Sequence, residues 1–133
     1  SVSMTNQELI AKAKEVMTKA YAPYSHFQVG AALLAKDGRV FTGCNVENAT
    51  YGATICAERT AVTKAVSEGV REFEKIAIVA SSGEYAAPCG ICRQVLFEFM
   101  PEGKVVLWSE LEGEKEFALT ELLPFGFRGE DIK

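Results

Sequence analysis

The sequence predicts an α/β fold built on one mixed β-sheet. Strand and helix patterns alternate along most of the chain, and the continuous apolar run from Ile76 to Ala80 is typical of a strand buried on both faces. Alternation of this kind implies parallel strand pairing with right-handed crossovers. Asp37-Gly38 is a strong hairpin signal between two apolar runs, so an antiparallel pair should be attached to the same sheet.

Three helices are predicted from apolar residues at helical spacing. The first begins at the capping box Thr5-Asn6-Gln7-Glu8 and has ended by Pro23. The second begins near Ala57 and is ended by Gly69, and the third ends before Pro101. The predicted strands run from Val29 to Ala35, Val40 to Thr42, Ile76 to Ala80, Val105 to Trp108 and Glu116 to Leu119.

Length and composition indicate one ordinary globular domain over residues 1–133. Hydrophobic residues make up 48% and charged residues 24%, and the net charge is −4 without any basic block. This balance gives no electrostatic footprint for a polynucleotide and suits a small neutral ligand better. No apolar run approaches the roughly 20 residues of a membrane span, and no export signal is visible, so we expect a cytoplasmic protein.

Two short motifs carry the chemistry: Cys56-Ala57-Glu58 and Pro88-Cys89-Gly90-Ile91-Cys92. A structural zinc takes four protein ligands, whereas a catalytic zinc takes three and leaves a position for water. Cys56, Cys89 and Cys92 supply three thiolates, and Glu58 is close enough in sequence to reach that water. The alternative of two disulfides is disfavoured in a chain without an export signal.

Helix geometry explains how these residues can meet. Cys56 and the Cys89/Cys92 pair lie at the starts of two predicted helices, where free N–H groups and the helix dipole favour thiolates. Zinc with three thiolates carries a net charge of −1, so a nearby cation should offset it. We favour Arg59 over Arg93 for that role.

The chain resembles the small tetrameric cytidine deaminases over essentially its whole length. The shared stretches are Pro23-Tyr24-Ser25-His26-Phe27, Val29-Gly30-Ala31-Ala32, Gly43 to Ala49, Cys56 to Ala61, Pro88 to Gln94 and Leu122-Leu123-Pro124. The resemblance implies a three-layer α/β/α sandwich on a five-stranded mixed sheet, with one Zn²⁺ per subunit. It also implies a homotetramer with shared pockets that deaminates cytidine and 2′-deoxycytidine in pyrimidine salvage.

The resemblance further implies a role for each site residue. Cys56, Cys89 and Cys92 would hold zinc, and Glu58 would carry protons between the attacking water, ring N3 and the departing ammonia. Arg59 would offset the negative charge of the thiolates. The implied substrate contacts are Phe27 at the base, Asn45 and Glu47 at the ribose hydroxyls, and Tyr51, Ala57 and Phe127, the last from a neighbouring subunit. Phe125 competes with Phe127 for that position.

Three other functions are compatible with parts of the sequence. Cys44 could complete a four-cysteine structural zinc in a protein-binding module, although it is more simply a core residue. A polynucleotide-editing deaminase would need a basic channel, which the acidic composition disfavours. A deaminase of a nucleoside antibiotic shares the zinc chemistry, but Asn45-Val46-Glu47 favours an ordinary ribose. His26, the only histidine, has no predicted role.

Overall fold

The computed structural model describes residues 4–127 of the chain. Within that range the helices are α1 (Asn6–Met17), α2 (Ala57–Ser67), α3 (Gly90–Phe99) and the short α4 (Leu119–Leu122). The strands are β1 (Val29–Ala35), β2 (Val40–Cys44), β3 (Phe73–Ala80), β4 (Lys104–Ser109) and β5 (Gly113–Ala118). None of the helices in these residues is long and apolar enough to cross a membrane.

The five strands form one mixed sheet in the order β2-β1-β3-β4-β5. β1 pairs antiparallel with both β2 and β3, β3 pairs parallel with β4, and β4 pairs antiparallel with β5. Strands β2, β3 and β4 therefore share one direction, as the alternating pattern predicts. However, β1 lies between β2 and β3, so β3 and β4 are the one neighbouring parallel pair in the described chain.

Helices cover both faces of the sheet, because successive strand residues point to opposite sides. On one face α1 packs through Leu9, Ile10 and Ala13 against a layer that includes Ala77 and Val79 of β3. On the other face α2 and α3 pack against Ile76, Ile78 and their neighbours. The three-layer α/β/α sandwich on a five-stranded mixed sheet is confirmed.

Local boundaries agree with the sequence in most places. The Thr5 side chain and Glu8 form the predicted capping box at the start of α1, and α2 ends just before Gly69, which has a φ of 88°. The final strand was predicted over Glu116–Leu119, but β5 starts at Gly113 and ends at Ala118. Leu119 instead begins α4. The sequence does not predict this helix, because four residues are too few to show helical periodicity.

A glycine contact sets the position of α2 on the sheet. A Cβ on Gly43 of β2 would lie 2.5 Å from the Ala57 carbonyl oxygen and 2.5 Å from the Ala61 nitrogen. Only glycine lets the backbone of β2 approach the first turns of α2 this closely. The contact brings Cys56, which immediately precedes α2, close to the end of β2.

Candidate active site

Two helix N-termini present the three cysteines of the motifs. Cys56 is the N-cap of α2 and Cys89 is the N-cap of α3, and neither side chain makes a capping hydrogen bond. Cys92 lies in the first turn of α3 and is fully buried. The three sulfurs nevertheless converge on a common point.

The geometry of this group fits a tetrahedral metal. The three sulfurs all lie within 4.8 Å of one another, and those of Cys89 and Cys92 are 3.4 Å apart. Zinc–sulfur bonds of ~2.3 Å in a tetrahedron would separate the sulfurs by ~3.8 Å, so small side-chain adjustments admit the ion. Among the described residues Cys44 is not part of the group. Three protein ligands leave one tetrahedral position open.

Arg59 contacts the metal group directly. Its Nη2 lies 3.6 Å from the Cys56 Sγ and donates to the Thr54 carbonyl oxygen at 3.3 Å. The hydrogen bond to Cys56 raises the pKa of Arg59 above its usual value. Arg93 instead donates to the carbonyl oxygens of Pro88 at 2.7 Å and Leu122 at 2.8 Å. The two arginines therefore have different tasks, one at the thiolates and one at the main chain.

The pKa values of Cys56 and Cys92 are displaced in opposite directions. The hydrogen bond from Cys92, aided by the Arg59 guanidinium, lowers the pKa of Cys56 to about 5. The same interaction with Cys56, followed by burial, raises the pKa of Cys92 above its usual value.

Glu58 is a buried carboxylate beside the sulfurs. Its exposed fraction is only 5%, although it occupies the first turn of α2 where an acid is usually solvated. Burial raises the pKa of Glu58, and the negative charge of Cys56 raises it further. A carboxyl group in this position can exchange protons with anything bound at the open metal position.

Asn45 fixes the main chain on either side of Gln28. Its Oδ1 accepts from the Val29 N–H at 2.8 Å, and its Nδ2 donates to the Phe27 carbonyl oxygen at 2.8 Å. These bonds leave one N–H of the amide free to donate to another acceptor. Asn45 therefore positions the main chain of Phe27, a residue that is 41% exposed.

Glu47 is held by the segment that precedes Phe27. Its Oε1 accepts from the N–H groups of Tyr24 at 3.0 Å and Ser25 at 3.1 Å, and its Oε2 accepts from the Ser25 hydroxyl. The Ser25 hydroxyl is the main reason that the pKa of Glu47 is lowered. A carboxylate has about four acceptor positions, so one remains on Oε2 for a ligand hydroxyl.

The loop after β2 forms an open cleft next to Glu47. The cleft measures about 390 Å³ and includes Tyr24, Tyr51 and Thr54 in its lining. The Tyr51 ring is 76% exposed and packs edge-on against Tyr24, with ring centroids 6.1 Å apart. Ala57, which is expected to contact the substrate, is fully buried.

The C-terminal segment carries two exposed aromatic rings. The Phe125 side chain is fully exposed and its backbone has a φ of 55°, whereas Phe127 is 56% exposed. The Gln94 side chain holds the main chain of Phe127 through two hydrogen bonds. Sequence reasoning assigned no role to Gln94 or to Ser25. Gln94 and Phe127 are 33 residues apart, so no local sequence pattern indicates their contact. The only sequence signal for Ser25 is a short polar side chain close to an aromatic residue.

The fold and the site are both found in known proteins. Residues 3–108 match the family model of the cytidine and deoxycytidylate deaminase zinc-binding region. The chain belongs to this family. A cytidine deaminase from Halalkalibacterium halodurans is 51% identical over 130 residues, which cover 97% of this chain and 98% of that protein. One from Sporosarcina psychrophila is 48% identical over 130 residues, which cover 97% of this chain and 96% of that protein.

Solved structures of this family share the architecture. The crystal structure of cytidine deaminase from Burkholderia pseudomallei is 49% identical and gives a TM-score of 0.88 over 93% of this chain and 100% of that chain. Membership of the family confirms the resemblance inferred from the motifs. Zinc is accordingly the metal of this deaminase, and the group formed by Cys56, Cys89 and Cys92 is suited to hold one ion.

Proposed function

We propose that the protein catalyses the hydrolytic deamination of cytidine and 2′-deoxycytidine to uridine and 2′-deoxyuridine, with release of ammonia, in pyrimidine salvage. The observation that carries the proposal is the burial of Glu58 beside three converging cysteine sulfurs. Relatives that are about half identical over nearly the whole chain are cytidine deaminases, which supports the same substrates here.

Glu58 performs the proton transfers of the reaction. Zinc, when bound by the three thiolates, supplies Lewis-acid activation of water. Glu58 takes a proton from the water that attacks C4 of the cytosine ring and delivers it to ring N3. It then helps to protonate the amino group, which leaves as ammonia while the C4 carbonyl forms. One water is consumed and one ammonia is released, so atoms and charge balance.

Asn45 and Glu47 select the sugar. The free N–H of Asn45 donates to one ribose hydroxyl, and the remaining acceptor position of Glu47 accepts from another. Glu47 is kept ionised by Ser25, and its negative charge would repel a phosphate. Free nucleosides are therefore preferred over nucleotides, and Phe27 supplies an aromatic face for the base.

The other candidate functions are less well supported. A structural zinc module needs a fourth ligand, and Cys44 lies outside the sulfur group. Editing of a polynucleotide needs a basic surface, whereas this chain carries a net charge of −4. An antibiotic deaminase remains the alternative substrate class, but the high identity to cytidine deaminases favours cytidine.

We also propose that the active form is a cytoplasmic homotetramer with pockets shared between subunits. The support is the family resemblance together with exposed aromatic side chains at Tyr51, Phe125 and Phe127, which a monomer would leave in water. In the tetramer Phe127 stacks on the base in a neighbouring pocket, and Tyr51 contacts the sugar across a subunit boundary.

Purified zinc-replete protein tests the reaction. We expect loss of the cytosine ultraviolet absorbance on addition of cytidine, and a fall of about 10²- to 10⁴-fold in kcat for Glu58→Gln with unchanged zinc content. The matched control is Glu98→Gln, at an exposed position of α3. If wild-type protein with bound zinc acts on neither cytidine nor 2′-deoxycytidine, the proposed substrate is wrong.

Truncation after Pro124 tests the shared pocket. The shortened chain should retain zinc, because its ligands all precede residue 93, but lose activity with the aromatic rings of the C-terminal segment. Sedimentation shows whether the tetramer persists. Full activity of the truncated chain would exclude Phe125 and Phe127 from substrate binding.

A further inference from the structure

The Gln94 side chain pairs with the main chain of Phe127 as a neighbouring β-strand would. Its Nε2 donates to the Phe127 carbonyl oxygen at 2.6 Å, and its Oε1 accepts from the Phe127 N–H at 3.1 Å. Both backbone polar groups of Phe127 are thereby satisfied by one side chain. Gln94 lies in α3 two residues after Cys92, so the pairing ties Phe127 to the helix that carries two of the cysteines.

Two neighbouring contacts hold the rest of this segment on the same helix. Arg93 donates from Nη1 to the Leu122 carbonyl oxygen at 2.8 Å. A Cβ on Gly126 would lie 2.7 Å from the ring of Phe97, so this glycine packs directly on an aromatic side chain of α3. The segment from Leu122 to Phe127 is therefore fixed at its start and near its end.

The ring of Phe127 stays exposed although its main chain is fixed. Its exposed fraction is 56%, and only side-chain rotation remains free. Asn45 creates the same arrangement at Phe27, because its amide also bonds to main-chain groups around an exposed ring. A ring held in place before a ligand arrives costs less ordering on binding than a ring on a free segment.

We propose that Gln94 is a positioning residue for the substrate base and acts through Phe127. The two hydrogen bonds of its amide fix the position of the Phe127 main chain relative to α3. This position determines where the Phe127 ring contacts the base. The inference rests on the proposed function, because it needs Phe127 to stack on that base. The two hydrogen bonds described for the Gln94 side chain both go to the Phe127 main chain.

A comparison of single and double mutants tests whether Gln94 acts through Phe127. Gln94→Met keeps the size of the side chain but removes both hydrogen bonds. We expect it to raise KM for cytidine about tenfold, with kcat within about twofold and zinc content unchanged. In a Phe127→Ala background the same change should have an effect below about twofold, because the ring it positions is absent.

An equal effect of Gln94→Met in both backgrounds, or a loss of zinc, would overturn the proposal. Either result would show that Gln94 acts on α3 and not through the ring. The matched control is Gln7→Met, at an exposed position of α1, which should leave KM and kcat unchanged.

Hydrogen exchange separates the pairing from the reaction. The Phe127 amide should exchange faster in Gln94→Met than in the wild type, and at the wild-type rate in Gln7→Met. Unchanged exchange would disprove the pairing even if KM rose. If the wild type fails to act on cytidine, the proposed function falls and the substrate role of Gln94 falls with it, while exchange still decides whether the pairing exists.

Discussion

Arg59 reaches back along the first turn of α2 and places its Nη2 3.6 Å from the Cys56 Sγ. The guanidinium is anchored there because the same nitrogen also donates to the Thr54 carbonyl oxygen. Zinc with three thiolates has a net charge of −1, which opposes the ionisation of water. We propose that the positive charge of Arg59, placed against a ligand sulfur, offsets this effect.

Arg59→Gln should keep zinc but lower kcat/KM by about 10- to 100-fold. The physical reason is that a more negative site holds the proton of water more tightly. Steady-state kinetics and metal analysis on the same sample measure both quantities. Arg71→Gln, at an exposed position, is the control and should match the wild type. Full activity in Arg59→Gln would show that the contact has no electrostatic role.

Ser25→Ala should raise KM for cytidine by about five- to tenfold with little change in kcat. The hydroxyl donates to Glu47 and also accepts from the Phe27 N–H at 3.1 Å, so its loss frees both a sugar contact and a base contact. Initial-rate measurements across cytidine concentrations test this. Ser67→Ala, at an exposed position of α2, is the comparison, and an unchanged KM in Ser25→Ala would contradict the argument.

Gly30→Ala should lower the free energy of unfolding by about 3 kcal/mol. A Cβ at this position in β1 would overlap the Ala13 carbonyl oxygen and lie 2.8 Å from the Met17 nitrogen, so α1 would have to move off the sheet. Gly52→Ala is a matched control, since a Cβ there meets nothing within 4 Å. Urea denaturation of the two variants measures the difference, and equal midpoints would show that α1 adjusts freely.

Glu116→Gln should reduce stability by less than about 1 kcal/mol at pH 7, because this surface contact is partly exposed. The hydrogen bond from Asn6, followed by the charge of Lys75, lowers the pKa of Glu116 in the folded state. The stabilisation is therefore complete above the unfolded pKa of about 4.3 and is lost as the pH falls through the lower folded value.

Urea denaturation of wild type and Glu116→Gln between pH 7 and pH 3 checks this dependence. Their difference should shrink as the pH falls from about 4.3 through the lower folded pKa of Glu116, since the carboxyl group is then uncharged in both the folded and the unfolded chain. Loss of zinc at low pH affects both proteins and cancels in the difference. A difference that grows on acidification would contradict the assignment.

Much of the fold could be predicted because local patterns and tertiary structure agree. The apolar run of Ile76–Ala80 indicates a strand buried on both faces, and β3 is interior to the sheet with these residues buried. The position of β1 between β2 and β3 was not predicted, because the alternating order gives strand direction and not adjacency. β2 buries only alternate residues, as a strand with one well-covered face does.

Some features of the candidate site can likewise be predicted from the sequence, and others cannot. The spacing of Cys89 and Cys92 shows that both sulfurs can face one ion, because residues three apart share a helix face. The pairing of Gln94 with Phe127 depends on how the chain returns after β5, which no local spacing encodes. Asn45 was predicted to contact the sugar, yet most of its amide is used to hold the Phe27 segment.

The absence of capping hydrogen bonds at Cys56 and Cys89 links the metal to folding itself. Each helix begins with a residue whose sulfur is directed to the metal position and not to its own N–H groups. Zinc held by these sulfurs would anchor the starts of two separate helices. The melting temperature of this deaminase should rise with free zinc concentration, so its thermal stability reports on zinc supply as well as on sequence.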